Sequence, residues 1–323
     1  MSFHSEKMSD VQADDARIKL GLRRVGVTDI PKIIRRKWKG QYNELSAKVD
    51  VFVDLIPSQR GIHMSRNIEV INEVTSEVTS SLMGKLISNT EELCAKIAKK
   101  VLLAQPGAKY AEVRLKADYE AETFSEALWR KKLSVHTLRA GANAERTEEG
   151  INIIKIIGAE VEGTTVCPCS QELSKDYAKE QLKKKEFSDE QIETIIDSIP
   201  LASHNQRSKA ILLLELPESA KRVELDDIIK ILEISMSAPL HEVLKRKDEQ
   251  AVVLYAHSRP SFVEDVVRTI LYNVAFKFDY LPSETGIYVK QTNFESIHRH
   301  NAVAEIRTTL KMLKEQLAEK KGK

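Results

Sequence analysis

Three cysteines in 323 residues, Cys94, Cys167 and Cys169, are too few and of the wrong parity for a disulfide framework. The thiols are therefore free for metal binding or catalysis. Charge of one sign is also missing: 50 Lys and Arg stand against 48 Asp and Glu. A net +2 creates no general field for nucleic acid or an anionic membrane, so neither is expected as a partner, and any anion needs a local site. No apolar run reaches the roughly 18 residues of a membrane span, and the opening MSFHSEKMSD lacks the apolar core of a secretory signal. A cytoplasmic protein is the simple expectation. Finally, no Gly-rich fingerprint or Walker-type loop follows any β-prone stretch, which argues against a βαβ nucleotide fold.

What is present is ordinary globular composition, 42% hydrophobic and 30% charged, with length for two domains. Arg17 to Val27 and Lys48 to Ile56 read as extended, the second alternating through Val49, Val51, Val53 and Leu55, with a basic run Lys32 to Lys39 between them. Helical spacing follows through Ile68, Val70, Ile71 and Val74, then through Leu93, Ile97, Val101 and Leu102, stopped at Gln105-Pro106-Gly107. Tyr110 to Tyr119 and Lys132 to Leu138 are β-prone, the latter with Leu133 and Val135 as its apolar face. The first half thus reads β-β-α-α-β-β.

Gly141 to Gly150 is polar and without an apolar stripe, and suggests modules at 1–145 and 146–323. The second repeats the order: Ile151 to Val166 and Lys209 to Leu216 as strands, Leu225 to Met236 and Phe262 to Val274 as helices, then Gly286 to Thr292 and a segment within Phe294 to Ile306 as strands. A Lys/Glu-dense helical insertion lies at about 171–200, and Lys311 to Lys323 is a solvated helix or frayed tail.

Chemistry concentrates in a few segments. Cys167-Pro168-Cys169-Ser170 ends a β-prone run, and thiolate is a strong ligand for zinc or ferrous iron; a buried structural cysteine is the competing reading. Ser203-His204-Asn205-Gln206-Arg207-Ser208 sets an imidazole, amides and a guanidinium at a strand mouth. Asn293-Phe294-Glu295-Ser296-Ile297-His298 supplies a carboxylate and an imidazole near one point, or else a hydrated loop. Glu249 follows three cations and suits either an ionised acid or an exposed turn. Glu264 stands in the first turn of a helix begun by Pro260 and Ser261, where capping is the plain role. Arg60, His63 and Arg66 flank a helix start and form a candidate phosphate site, with solvated linker as the alternative.

Taken in this order, Arg60 to Arg66, Cys167 to Ser170, His204 to Ser208, Phe262 to Asp265 and Phe294 to His298 resemble GTP cyclohydrolase type IB, from about Lys19 to His300. The resemblance implies an α+β tunnelling fold (T-fold) of two β-β-α-α-β-β modules with antiparallel sheets and helices on one face. It implies a homo-oligomer, a tetramer by expectation, with sites between subunits. It also implies a divalent metal, ferrous iron first and zinc or manganese next, on Cys167, His204 and Glu249, with His298 a further ligand or proton carrier and Glu295 beside it. Glu264 resembles the family's guanine-anchoring carboxylate, and Arg60, His63, Arg66 and Arg207 are candidates for the phosphates of GTP. The long insertion resembles the archaeal, methanopterin-pathway branch, which implies 7,8-dihydroneopterin 2′,3′-cyclic phosphate as product; 7,8-dihydroneopterin triphosphate is the bacterial-type alternative. A non-catalytic pterin- or purine-binding protein, or another tunnelling-fold enzyme with Cys167 as nucleophile, are the readings of a different class.

Overall fold

A computed structural model describes residues 10–38, 41–80 and 89–319. By internal contacts the chain divides into two units, Met1–Asp118 with Arg139–Ile157 and Leu216–Ser219, and Tyr119–Leu138 with Gly158–Glu215 and Ala220–Lys323. Three long strands, β3 (Tyr110–Ser125), β4 (Arg130–Thr147) and β5 (Gly150–Val166), contribute to both units.

The first unit opens with the antiparallel pair β1 (Leu22–Trp38) and β2 (Gln41–Leu55). The basic run expected to link two strands lies instead largely within β1. The pairing absorbs an irregularity between Val27 and Ile30, where Asp29 takes φ 56° and its N–H donates to Asp50 Oδ1 at 2.7 Å. Such a bulge turns the strand without ending it. Alternation on β2 is as the pattern predicts: Leu45, Ala47, Val49, Val51, Val53 and Leu55 are buried. They pair in register with β3, Val49 with Leu115, Val51 with Val113 and Val53 with Ala111, so both strands turn one apolar face inward. The helices α1 (Met64–Ser80) and α2 (Thr90–Ala104) bring Val70, Ile71, Val74, Leu93, Ile97, Val101 and Leu102 to this core. Cys94 is fully buried there, and burial pushes its thiol far up, which leaves it a packing residue rather than a nucleophile.

The polar stretch from Gly141 is not a linker. It is the second half of β4, with Ala140, Ala142 and Ala144 buried at period two, and only Glu148 and Glu149 separate β4 from β5. Small size hid the apolar face of these alanines from a reading based on large hydrophobics.

The second unit contains the insertion, helices α3 (Pro168–Lys183) and α4 (Asp189–Ser198), pinned together by Lys179 and Glu193 at 2.6 Å and by buried Ile192 and Ile196. Ser188 and Gln191 exchange the two bonds of a capping box at the start of α4. Strand β6 (Asn205–Pro217) follows, then α5 (Leu225–Ser235) and the two-residue strand β7 (Ala238–Pro239), which pairs with β5 at Gly163 and Thr164. Helix α6 (Arg246–His257) is not expected from the sequence, where an exposed turn is one of two readings for the charged residues at its start; its one buried residue, Ala256, explains why its periodicity is weak. Helix α7 (Val263–Lys277), strands β8 (Gly286–Asn293) and β9 (Ala302–Thr309), and α8 (Leu310–Glu319) complete the unit. The tail is anchored rather than frayed: Leu310 and Leu313 are buried, and the N–H groups of Leu310 and Lys311 donate to Thr285 and Ser283 carbonyls at 2.9 Å.

Strands β6 and β8 pair antiparallel with Ser208 opposite Asn293, Ala210 opposite Gln291 and Leu212 opposite Val289. Gly158 permits close approach by β6, since a Cβ there would fall 2.1 Å from the Leu212 carbonyl oxygen. The architecture is α+β with antiparallel pairing, as expected. Among the described residues no helix is long and apolar enough to cross a membrane.

Candidate active site at the ends of strands β5, β6 and β8

The end of β5 is a junction. Val166 receives a hydrogen bond from Ser261 N–H on its carbonyl at 3.0 Å and donates its own N–H to Ser237 Oγ at 3.1 Å. The next residue, Cys167, N-caps α3, with Pro168 in the first helical position, where a missing N–H costs nothing. Cys167 N–H donates to the His204 carbonyl at 3.1 Å, and Ser203 Oγ donates to the Cys167 carbonyl at 2.6 Å. Two residues 37 positions apart in sequence are thus tied backbone to backbone. Cys167 is half-buried with a free thiol; Cys169 lies one residue into the helix and is exposed.

His204 precedes β6 and its side chain is 12% exposed. Its Nδ1 lies 3.0 Å from Gln206 Oε1 and 3.7 Å from Glu295 Oε2, a carboxylate only 10% exposed. The His298 ring stands edge-on to it at 6.3 Å between centroids, and His300 stacks on His298 at 5.0 Å. Glu295 and His298 belong to the eight residues between β8 and β9, neither strand nor helix, begun by Phe294 N–H on the Arg207 carbonyl at 2.9 Å. Cys167, His204, Glu295 and His298 therefore gather in one region, as the sequence motifs imply.

Glu249 is not in that cluster. It is exposed in the first turn of α6, on the helical row of Val252 and Ala256, which pack against Val166 beside Cys167. Glu264 is exposed at the second position of α7, whose N-terminus is fastened to Val166 through Ser261. The capping role expected of it belongs to its neighbour: Asp265 Oδ2 accepts the Phe262 N–H at 3.2 Å, which leaves the Glu264 carboxylate available to a ligand.

Of the basic candidates, Arg207 lies 71% exposed on the face of β6 opposite Gln206 and Ser208, 3.5 Å from Glu162. In the first unit Arg60 is 3.7 Å from Asp14, His63 Nε2 is 2.9 Å from Asp10, and Arg66 donates to the Ala104 carbonyl. Each already has a partner that a phosphate would have to replace.

Among the described residues no three of His, Cys, Asp and Glu close on one point at metal-ligand distances. The donor chemistry nevertheless fits a divalent ion: a thiol and an imidazole held together by the backbone, with no hydrogen bond on His204 Nε2 among the described residues. A third donor is not assembled within the described single chain.

Two groups of buried polar residues were not foreseen as groups, although Gln206, Ser208 and Asn293 stand within the sequence motifs. Thr165, Gln206, Ser208, Gln291 and Asn293 form one, at positions where the strand alternation calls for apolar side chains. That misplaced polarity is the signal that would have found them. The second surrounds Glu233, whose carboxylate meets Lys132 Nζ at 2.6 Å and lies 3.5 Å from His136 Nε2; His241 bonds Ser125 Oγ at 2.8 Å nearby in the same unit. Here the expected face of β4 is inverted. Leu133 and Val135 are 60% and 59% exposed, while Lys132 and His136 are buried, because Leu138, Ala140 and Ala142 set the inward parity for the whole strand.

The family model for type I GTP cyclohydrolase FolE2 matches residues 8–304. The chain belongs to that family. With it the chain is placed among the GTP cyclohydrolase enzymes. It is 42% identical over 311 residues to the GTP cyclohydrolase MptA of Methanococcus maripaludis, covering 96% of this chain and 98% of the relative. It is 43% identical over 312 residues to the MptA of Methanobrevibacter smithii, covering 96% and 98%, and 40% identical over 309 to that of Methanocaldococcus jannaschii, covering 95% and 97%. Among solved structures, a uricase from Bacillus fastidious aligns over 92% of this chain and 96% of its own at 8% identity and a TM-score of 0.46, too loose a likeness to carry an argument.

Proposed function

We propose that this cyclohydrolase opens the guanine imidazole ring of GTP at C8, releases formate, and forms 7,8-dihydroneopterin 2′,3′-cyclic phosphate for a methanopterin-type pterin pathway, with closure of the cyclic ester on the α-phosphorus displacing diphosphate. The observation that carries the reading is the backbone tie between Cys167 and His204, with Glu295 and His298 beside them, in a chain 42% identical to a GTP cyclohydrolase MptA. The cyclic phosphate is preferred to the triphosphate because the helical insertion α3–α4 resembles the archaeal branch, rather than because of any contact in the site.

Cys167, His204 and Glu249 would hold a divalent metal, ferrous iron by preference and zinc or manganese as substitutes, with His298 the further candidate ligand. When bound, such an ion supplies a water acidic enough to lose a proton near neutral pH. Glu264 accepts hydrogen bonds from guanine N1–H and its exocyclic amine and so orients C8. Glu295, shielded beside His204, and His298, an exposed ring edge-on to that of His204, move protons between the attacking water and the ring nitrogen N7. Arg60, His63, Arg66 and Arg207 are the candidates for the phosphates, each exchanging its present partner for one.

The protein acts as a cytoplasmic homo-oligomer, a tetramer by our reading, with Glu249 and the phosphate-binding side chains completing sites between subunits. The apolar residues Phe124, Trp129, Leu133 and Val135, exposed on β3, β4 and the turn between them, support such an assembly. The test is anaerobic incubation with GTP and ferrous iron and mass analysis of the products. One formate per GTP and a cyclic phosphate are expected; a triphosphate moves the product to the bacterial type, and no formate removes the activity.

A further inference from the structure

Behind His204 runs a chain of buried hydrogen bonds whose direction can be worked out. Gln291 Nε2 and Ser208 Oγ each lie 3.0 Å from Asn293 Oδ1; Ser208 Oγ lies 2.7 Å from Thr165 Oγ1; Gln206 Nε2 lies 2.9 Å from Thr165 Oγ1; and Gln206 Oε1 meets His204 Nδ1 at 3.0 Å. All five side chains behind the histidine are buried, Thr165, Ser208 and Gln291 completely. A hydroxyl has one proton to give. If Asn293 turns its carbonyl oxygen to Ser208, then Ser208 donates to it and must accept from Thr165. Thr165, its proton used, accepts from the Gln206 amide nitrogen, and Gln206 turns its oxygen to His204. Only a protonated Nδ1 can meet that oxygen.

The reverse direction requires every amide in the chain to turn over and Nδ1 to be bare. It would put the NH2 group of Gln291 where Gln291 Oε1 now stands, buried and without a partner. An orphaned buried N–H is rarer than an under-used carbonyl oxygen, so the first direction prevails. The Glu295 carboxylate, 3.7 Å from the same nitrogen, favours it further by placing negative charge beside the N–H.

We propose that Thr165, Gln206, Ser208 and Asn293 are positioning residues that lock His204 in the Nδ1–H tautomer and so aim an Nε2 lone pair at the site. An isolated neutral imidazole favours the other tautomer, so the effect is measurable on the metal-free protein. The consequence for metal binding rests on the functional reading above; the tautomer does not.

The test is a long-range proton–nitrogen correlation spectrum of metal-free protein carrying 15N-histidine, recorded where the rings are neutral. His204 is expected to show a protonated Nδ1 and a bare Nε2. Thr165→Val, which frees the Gln206 amide to turn over, and Ser208→Ala, which removes the acceptor of Thr165, should each mix the tautomers. Gln206→Glu should keep the Nδ1–H form, because a carboxylate also demands it. With zinc alone as probe, Thr165→Val should bind about 10–100-fold more weakly, the usual effect of losing an outer-shell partner, while Gln206→Glu stays close to wild type. A protonated Nε2 in the wild type, or an unchanged tautomer in both Thr165→Val and Ser208→Ala, overturns the proposal. If the tautomer is as stated but His204→Ala binds zinc as tightly as wild type, the metal assignment fails and the tautomer lock stands.

Discussion

The loop around His63 in the first unit and the strand ends around His204 in the second hold the same kinds of side chain and treat them differently. Around His63 the polar groups are answered by near partners: Asp10 takes His63, Asp14 takes Arg60, and the Ala104 carbonyl takes Arg66. Around His204 the polar groups behind the ring are buried and bonded through Gln206 and its chain, and among the described residues Nε2 and the Cys167 thiol have no hydrogen bond. A region whose charges have surface partners must exchange them to take a ligand; one where structure is spent on holding an unanswered donor set is already organised for one.

Substitutions can break this contrast. The largest effect is expected at the tied pair: Cys167→Ala or His204→Ala should lower formate release at least about 100-fold, since loss of outer-shell partners alone costs 10–100-fold. Full turnover by either variant would erase the distinction between the two regions. Next comes the buried Lys132–Glu233 pair, whose side chains are 9% and 5% exposed. Glu233→Gln leaves an uncompensated ammonium in the interior and should cost about 3–5 kcal/mol in denaturant unfolding, whereas a surface pair would cost under about 1 kcal/mol. Glu264→Ala should weaken GTP binding about 10–100-fold, the scale of two charge-assisted hydrogen bonds, with metal content unchanged; an unaltered GTP Kd would remove the guanine-anchoring role.

A smaller effect concerns pH. Burial above all holds the His136 and His241 rings below their ordinary range: Lys132 adds to this and Glu233 opposes it at both, with Arg130 adding to it and Asp248 opposing it at His241. A base with a depressed folded pKa binds fewer protons folded than unfolded. Unfolding is then favoured by protonation as pH falls below about 6.5, and stability should rise with pH through that interval. His136→Gln should flatten the slope; an unchanged slope would show that the ring is not kept neutral. The smallest effect is expected at Arg207, on the outer face of β6: Arg207→Ala should change stability by less than about 1 kcal/mol.

Much of this was legible before any coordinates. Long periodic elements such as Val49 to Leu55 and Leu93 to Leu102 announce themselves because large apolar residues repeat at the period of the element. The motifs that carry the family resemblance were legible as a set, because cysteine, histidine and acid at strand and helix ends have few structural uses in common. What stayed hidden is instructive. The inward face of β4 is built of alanines, too small to mark a period, and its exposed face carries Leu133 and Val135. Helix α6 buries one residue and so writes almost no stripe. The hydrogen-bonded chain behind His204 depends on Ser208 and Asn293 being opposite each other in register, which no local pattern fixes.

The central claim is that Cys167 and His204 serve one ion. X-ray absorption of zinc-loaded protein tests it most directly. A sulfur scatterer at about 2.3 Å, lost in Cys167→Ala, together with an imidazole contribution lost in His204→Ala, is the predicted result. A shell of oxygen and nitrogen alone, indifferent to both substitutions, would contradict it.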